Sequence, residues 1–417
     1  MKHLAERLGT TALPRQSIRF SFYVPSGTSG HVGKTSRARA INWPATWESL
    51  NLESDTLPAY NAAAASIDTY IAVNRIEASG FVRHDIDNHY LRPLLQLYLT
   101  RKGAAIFNQS TAKSVVFEMV RHLDTPYVEI TSLVILEGFS ANRSFRLDPA
   151  ITVRPITEDE LMVLGREDWK YGLFTTRPTP LQPRSDWWIC EIQLKNPRGT
   201  ADGWNAANDV QANLGFALRA FKGGRLRLGL ATKQVTGVFG RAGQIWGGRL
   251  EAISTQSNPY TLSSGEIKKF QRFWHGIVPL LDKDSHYLQI AIRRLRTAGT
   301  RGEKEDALVD YVVGLEALLG RADERTELNF RFKTRGAVLL APRKAERKNS
   351  MKTLDRLYNL RSRIVHGQSV SASHLDEDLP AAEDALRHVW HWYFRNWPDE
   401  PNNNAGVGRI DELLVGG

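Results

Sequence analysis

Arg361 and His366 close the segment Leu357-Tyr358-Asn359-Leu360-Arg361-Ser362-Arg363-Ile364-Val365-His366-Gly367. A guanidinium binds phosphate and steadies developing negative charge. An imidazole moves protons near neutral pH. The two groups suit RNA cleavage without a metal: the ribose 2′-hydroxyl attacks phosphorus, a base takes its proton, and a cation steadies the phosphorane. Leu354, Leu357, Leu360 and Ile364 recur at helical spacing, and Gly367 stands where a helix C-cap is expected. The pair therefore rides on the last turns of a helix. Five helical positions turn a side chain by about 140°, so Arg361 and His366 do not stack. Ser362 and Arg363, four and three residues before His366, are the ones that share its face.

Spacing alone carries little. With 39 arginines and 11 histidines in 417 residues, an Arg-x4-His pair arises by chance about once. Arg83 and His89 form a near decoy with five residues between them. The bland reading of the segment is a helix C-terminus carrying favourable cations. Order along the chain is more specific. Glu305 to Leu319 (EDALVDYVVGLEALL) comes first, then Phe332 to Leu340 (FKTRGAVLL), then the Arg361/His366 segment.

These three blocks, in this order, resemble the HEPN superfamily and in particular its Apea-like branch. The resemblance covers roughly residues 260–398 and says little about the first 250. It implies an all-helical bundle and a metal-independent endoribonuclease that takes no cofactor. By resemblance, Arg361 binds or stabilises phosphate, His366 acts as acid and base, and Ser362 fills the polar slot after the arginine. HEPN ribonucleases join two copies so that the pairs meet in one cleft, which implies a homodimer through the helical domain. Glu316 and Arg335 fall at recurring positions of the branch. Each reads either as a helix-packing ion-pair partner or as a residue that orients the pair or touches RNA.

Charge points the same way. The net charge is +10, and residues 321–366 hold 13 Lys and Arg against 5 Asp and Glu, a net +8. Arginine outnumbers lysine 39 to 16, which suits bidentate phosphate contacts. A charge run is often only a solvated face, but this one adjoins the Arg/His segment and reads as a footprint for a polyanion. Arg331, Lys333, Arg335 and Arg363 are its expected nucleic-acid contacts.

The single cysteine, Cys190, excludes an internal disulfide and favours a reducing compartment. No apolar h-region follows Met1 to Arg7, so a signal peptide is not expected. No run approaches the length of a membrane span. A cytoplasmic location is the expectation.

The elements that must position the site follow from patterning. Ser17–Val24, Tyr127–Leu136, Trp187–Leu194 and Arg225–Leu230 read as strands. Asn61–Ala72 and Asn205–Phe221 read as helices, Pro93 sets a boundary at the Leu91–Leu99 run, and Thr157 with Glu160 makes a capping-box pattern. Beyond about residue 262 the pattern is helical throughout: Ser263 to about Leu281, Ser285–Thr297, Glu303–Leu319, Asn329–Leu340, Asn349–His366 and Leu379–Trp397. The expected fold class is α+β, with a mixed α/β sensor or interaction domain over 1–258, a HEPN-like helical domain over 259–398 and a flexible tail over 399–417.

Other candidates read as structure. The His and Asp cluster from Arg83 to His89 lacks a second cluster to complete a metal site. Trp390 and Trp397, seven apart, read as core, and Cys190 as a buried strand residue. The function implied is RNA cleavage in anti-phage defence or a toxin-like role, with the N-terminal half restraining the nuclease or sensing a phage-derived trigger. The alternative is a non-catalytic HEPN module that binds nucleic acid or a protein partner. It would need the basic side chains but not the proton chemistry of His366.

Overall fold

The computed structural model describes residues 15–26, 30–41, 58–73, 91–102, 108–164, 184–197, 202–236, 251–252, 258–281, 286–321, 326–396 and 403–415. In chain order the strands are β1 (Arg15–Ser26), β2 (Gly30–Ile41), β3 (Tyr127–Glu137), β4 (Phe139–Ala141), β5 (Phe145–Asp148), β6 (Ile151–Pro155), β7 (Trp188–Pro197), β8 (Arg227–Thr236), β9 (Glu251–Ala252) and β10 (Tyr260–Leu262). The first helices are α1 (Pro58–Val73), α2 (Arg92–Lys102), α3 (Gln109–Asp124), α4 (Glu158–Leu164) and α5 (Asp202–Phe221). After β10 every described element is helical: α6 (Ser264–Leu281), α7 (His286–Ala298), α8 (Lys304–Leu319), α9 (Leu328–Leu340), α10 (Lys344–Val365), α11 (Ala372–Arg395) and α12 (Asn403–Val415). The chain is thus mixed α/β with a C-terminal helical region.

β1 and β2 form an antiparallel hairpin in register from Arg15↔Ile41 to Ser26↔Gly30. The larger sheet has strand order β5-β6-β7-β3-β8-β9, and β4 pairs in parallel with β10. By internal contacts the chain divides into two units. One holds Met1–Val134, Ala150–Asp209 and Leu230–Arg249, and the other holds Ile135–Pro149, Val210–Gly229 and Leu250–Gly417. This differs from the single cut after residue 258 expected from composition, because 135–149 and 210–229 group with the C-terminal helices.

In the first unit, β6 and β7 pair from Ile151↔Ile192 to Pro155↔Trp188, burying Val153, Ile189, Cys190 and Ile192. Thr157 and Glu160 form the reciprocal cap at the start of α4: the Thr157 N–H donates to Glu160 Oε2 at 2.8 Å, and the Glu160 N–H donates to Thr157 Oγ1 at 3.3 Å. The Arg83–His89 cluster lies outside the described residues.

In the second unit α8 is the central helix. Leu308, Tyr311, Val312, Leu315 and Leu318 are all fully buried, because α7, α9, α10 and α11 pack around it. Its neighbours can approach because glycine stands at two crossings. A Cβ on Gly314 would meet Leu386 at 3.0 Å, and one on Gly336 would meet Leu354 at 2.6 Å. Trp390 is core, edge-to-face with Phe216 at 5.2 Å. Ser263 and Glu266 cap α6 reciprocally, at 2.9 and 3.3 Å.

Three expectations change. α10 starts at Lys344 and α11 at Ala372, earlier than the periodicity suggested. In α11 the helix runs through Pro380, since Leu375, Asp378 and Leu379 before it are already buried. Residues 403–415, expected within a flexible tail, form α12 instead. Val407 and Ile410 are fully buried, and Asp411 pairs with Arg335 and Arg321.

Candidate active site

Arg361, Ser362, Arg363 and His366 lie at the end of α10. Its stop is a Schellman motif. The Gly367 N–H donates to Ile364 O at 3.0 Å, and the Gln368 N–H donates to Arg363 O at 2.9 Å. Gly367 has φ +73°, a left-handed conformation that glycine adopts without a Cβ penalty. His366 is the residue just before the turn, and its N–H donates to Ser362 O at 3.0 Å. The imidazole is exposed and has no side-chain partner among the described residues. Ser362 is half-buried and takes part through its carbonyl.

Arg361 faces the central helix. Its Nη2 lies 3.4 Å from Glu316 Oε2 on α8, and its buried Nε has no hydrogen-bond acceptor among the described residues. Burial pushes the Glu316 carboxyl above the usual range, and the nearby Arg361 charge only partly offsets this. Desolvation penalises the charged form of the carboxyl, and the Arg361 charge opposes that penalty. The structure brings Arg361 and Glu316 together. It does not bring Arg361 and His366 onto one face.

The basic residues divide. Arg335 is 3% exposed. Its Nε and Nη2 donate to the two Asp411 oxygens at 2.8 and 3.0 Å, and its Nη1 donates to Leu319 O at 2.9 Å. Arg335 is thus the clamp that fixes α12 and closes the last turn of α8. The expectation that it contacts nucleic acid is corrected on that ground. Lys333 is half-buried, with Nζ 2.7 Å from Asp355, and Arg331 is half-buried. Arg363 is exposed, with one Nη2 contact to Ser369 O at 2.9 Å.

A groove of about 360 Å³ opens beside this helix end, between α10 and the start of α11. Lys352, Asn359 and His374 line it with Arg363. The spacing of 352, 359 and 363 was a signal available in the sequence. His374 lies in the first turn of α11, which starts at Ala372, ahead of the helical stretch expected from Leu379. Compared with family models, curated proteins and solved structures, the chain finds no match.

Proposed function

We propose that the chain is an endoribonuclease of the HEPN type that cleaves RNA without a metal. The observation that carries this reading is the end of α10. It presents an exposed histidine from a fixed backbone turn, one turn beyond an arginine oriented by Glu316. In the reaction the 2′-oxygen bonds to phosphorus as the bond to the 5′-oxygen breaks. A neutral His366 takes the proton of the 2′-hydroxyl, an imidazolium returns one to the 5′-oxygen, and Arg361 steadies the phosphorane. The products are a 2′,3′-cyclic phosphate and a 5′-hydroxyl.

One imidazole cannot be base and acid in the same step, and Arg361 lies about 140° round the helix from His366. The reading therefore includes a symmetric homodimer in which each copy contributes one pair. Exposed Leu328 at 48%, Phe330 at 57% and Val365 at 53% support a self-complementary contact near this end of α9 and α10. The role of residues 1–258 is to restrain the nuclease or sense a trigger such as a phage product, in defence or a toxin-like setting.

The second reading is a non-catalytic HEPN module that binds nucleic acid or a protein partner. What favours it is that no side chain among the described residues orients the His366 ring. One experiment separates the two. Purified protein is incubated with labelled total RNA in EDTA, beside the double variant Arg361→Ala/His366→Ala. Cleavage by the wild type alone is the expected result. RNA that binds and stays intact would leave the binding-module reading.

A further inference from the structure

The basic segment of the sequence is not one surface, because its members are used in different ways. Arg335 is buried on Asp411 and Lys333 is held by Asp355. Within the groove beside α10, Arg356 is taken by the buried Asp378 at 2.6 Å and by Glu377 at 3.3 Å. Asp355 accepts from Lys333 and, at 3.3 Å, from Asn359. These pairs neutralise one another inside the groove. Three groups on its walls remain available to an outside anion. Lys352 is exposed and forms no ion pair among the described residues. Arg363 is exposed and commits one nitrogen to a carbonyl. His374 is exposed, with only Nδ1 engaged, 3.0 Å from Ser371 Oγ.

Their placement is linear. By the helix period, positions 359, 363 and 366 fall within about 40° of position 352 around α10. Lys352 to Arg363 spans about 16 Å by helix rise, long enough for several phosphates of one strand. The stripe ends at His366. Arg361 lies about half a turn away from Lys352 and is no part of it. No Phe, Tyr or Trp lines the groove, so it offers no stacking platform for bases.

We infer that this groove is a track for the sugar–phosphate backbone of single-stranded RNA, held by Lys352, Arg363 and His374, that leads the strand to His366. The inference rests on the reading of the chain as an RNA-cleaving enzyme and adds where the substrate runs. A cationic groove without aromatic platforms follows phosphates and is tolerant of sequence. Discrimination between bases comes from elsewhere.

The test is steady-state cleavage of a labelled single-stranded RNA by full-length protein, comparing wild type with Lys352→Ala/Arg363→Ala/His374→Ala. All three side chains are exposed, and a matched thermal midpoint checks the fold. With two or three phosphates no longer held, KM should rise about tenfold and the log–log salt slope should flatten by about 0.7 for each of them, with kcat changed less than about threefold. A control that removes the same two permanent cations, Lys268→Ala/Arg272→Ala on the exposed side of α6, should leave KM as it was. An unchanged KM in the groove variant, with the wild type active, overturns the track and leaves the nuclease standing. An equal rise in the control also overturns the track. A wild type that neither binds nor cuts RNA overturns both. Photocrosslinking of RNA containing 4-thiouridine to the wild type gives a measure independent of folding. Crosslinks are expected in the peptides spanning 352–374, and crosslinks confined to other peptides defeat the proposal.

Discussion

Arg361 and Glu316 meet at 3.4 Å across α10 and α8, and the contact saturates neither partner. The arginine keeps a buried Nε without an acceptor among the described residues. The carboxyl, pushed up by burial, is only partly relieved by the guanidinium. A pair of this kind orients a cation without neutralising it fully, which is compatible with the phosphate-binding role proposed for Arg361.

Glu316→Gln tests the carboxyl by linkage. A folded-state pKa raised above the unfolded one contributes stability at low pH, and that contribution is lost as pH rises through the folded value. Urea unfolding of wild type and variant from acid to neutral pH should therefore show the difference moving in the variant's favour as pH rises. Parallel profiles would mean that the burial of Glu316 has no consequence for its ionisation.

His366→Ala should lower the cleavage rate by about 10²- to 10⁴-fold, the usual contribution of general acid–base catalysis. Unfolding free energy should change by less than about 0.5 kcal/mol, as for an exposed surface position. A variant that cuts at wild-type rates would show that His366 does not move the proton.

Asp411→Ala leaves the buried Arg335 guanidinium without its bidentate partner. Breaking a fully buried pair costs about 3–5 kcal/mol. Asp411 itself is 34% exposed, so a loss nearer about 2 kcal/mol is expected in denaturant unfolding. Were Arg335 instead an RNA ligand, the same substitution would free it and tighten RNA binding with little loss of stability.

Glu266 carries a cap and a partner at once. Its carboxyl is held down at about 2, first by Lys222 and then by the Ser263 backbone N–H. A depressed pKa contributes stability above the ordinary carboxylate range, and this is lost as pH falls through the folded value. Glu266→Ala should cost about 1 kcal/mol at neutral pH, the usual worth of a helix cap. The gap from wild type should close as pH falls from the ordinary range towards 2.

What the sequence made legible was local. The β-branched run from Tyr127 and the Ser263/Glu266 cap announce β3 and α6 through spacing that needs no partner. α3 could have been found the same way, since Ala112, Val115, Met119 and Leu123 sit at helical intervals and are buried. α12 could not. Its sequence is rich in Asn and Gly, and Asp411 finds Arg335 and Arg321 at 76 and 90 residues' separation. The same limit applies at the candidate site. Block order put Glu316 and Arg361 in one helical domain, but nothing in the charge of Arg335 or Lys333 told that carboxylates elsewhere had claimed them. Among the described residues, no carboxylate claims Arg363 or Lys352.

The closing turn of α10 has a practical corollary. His366 is fastened through main-chain atoms alone, by its own N–H and by the bonds of Gly367 and Gln368 around it, so the position is a socket whose fitting can be exchanged. A His366→Gly substitution removes the exposed ring without removing any of these backbone bonds. Free imidazole in the buffer could then act in place of the missing ring.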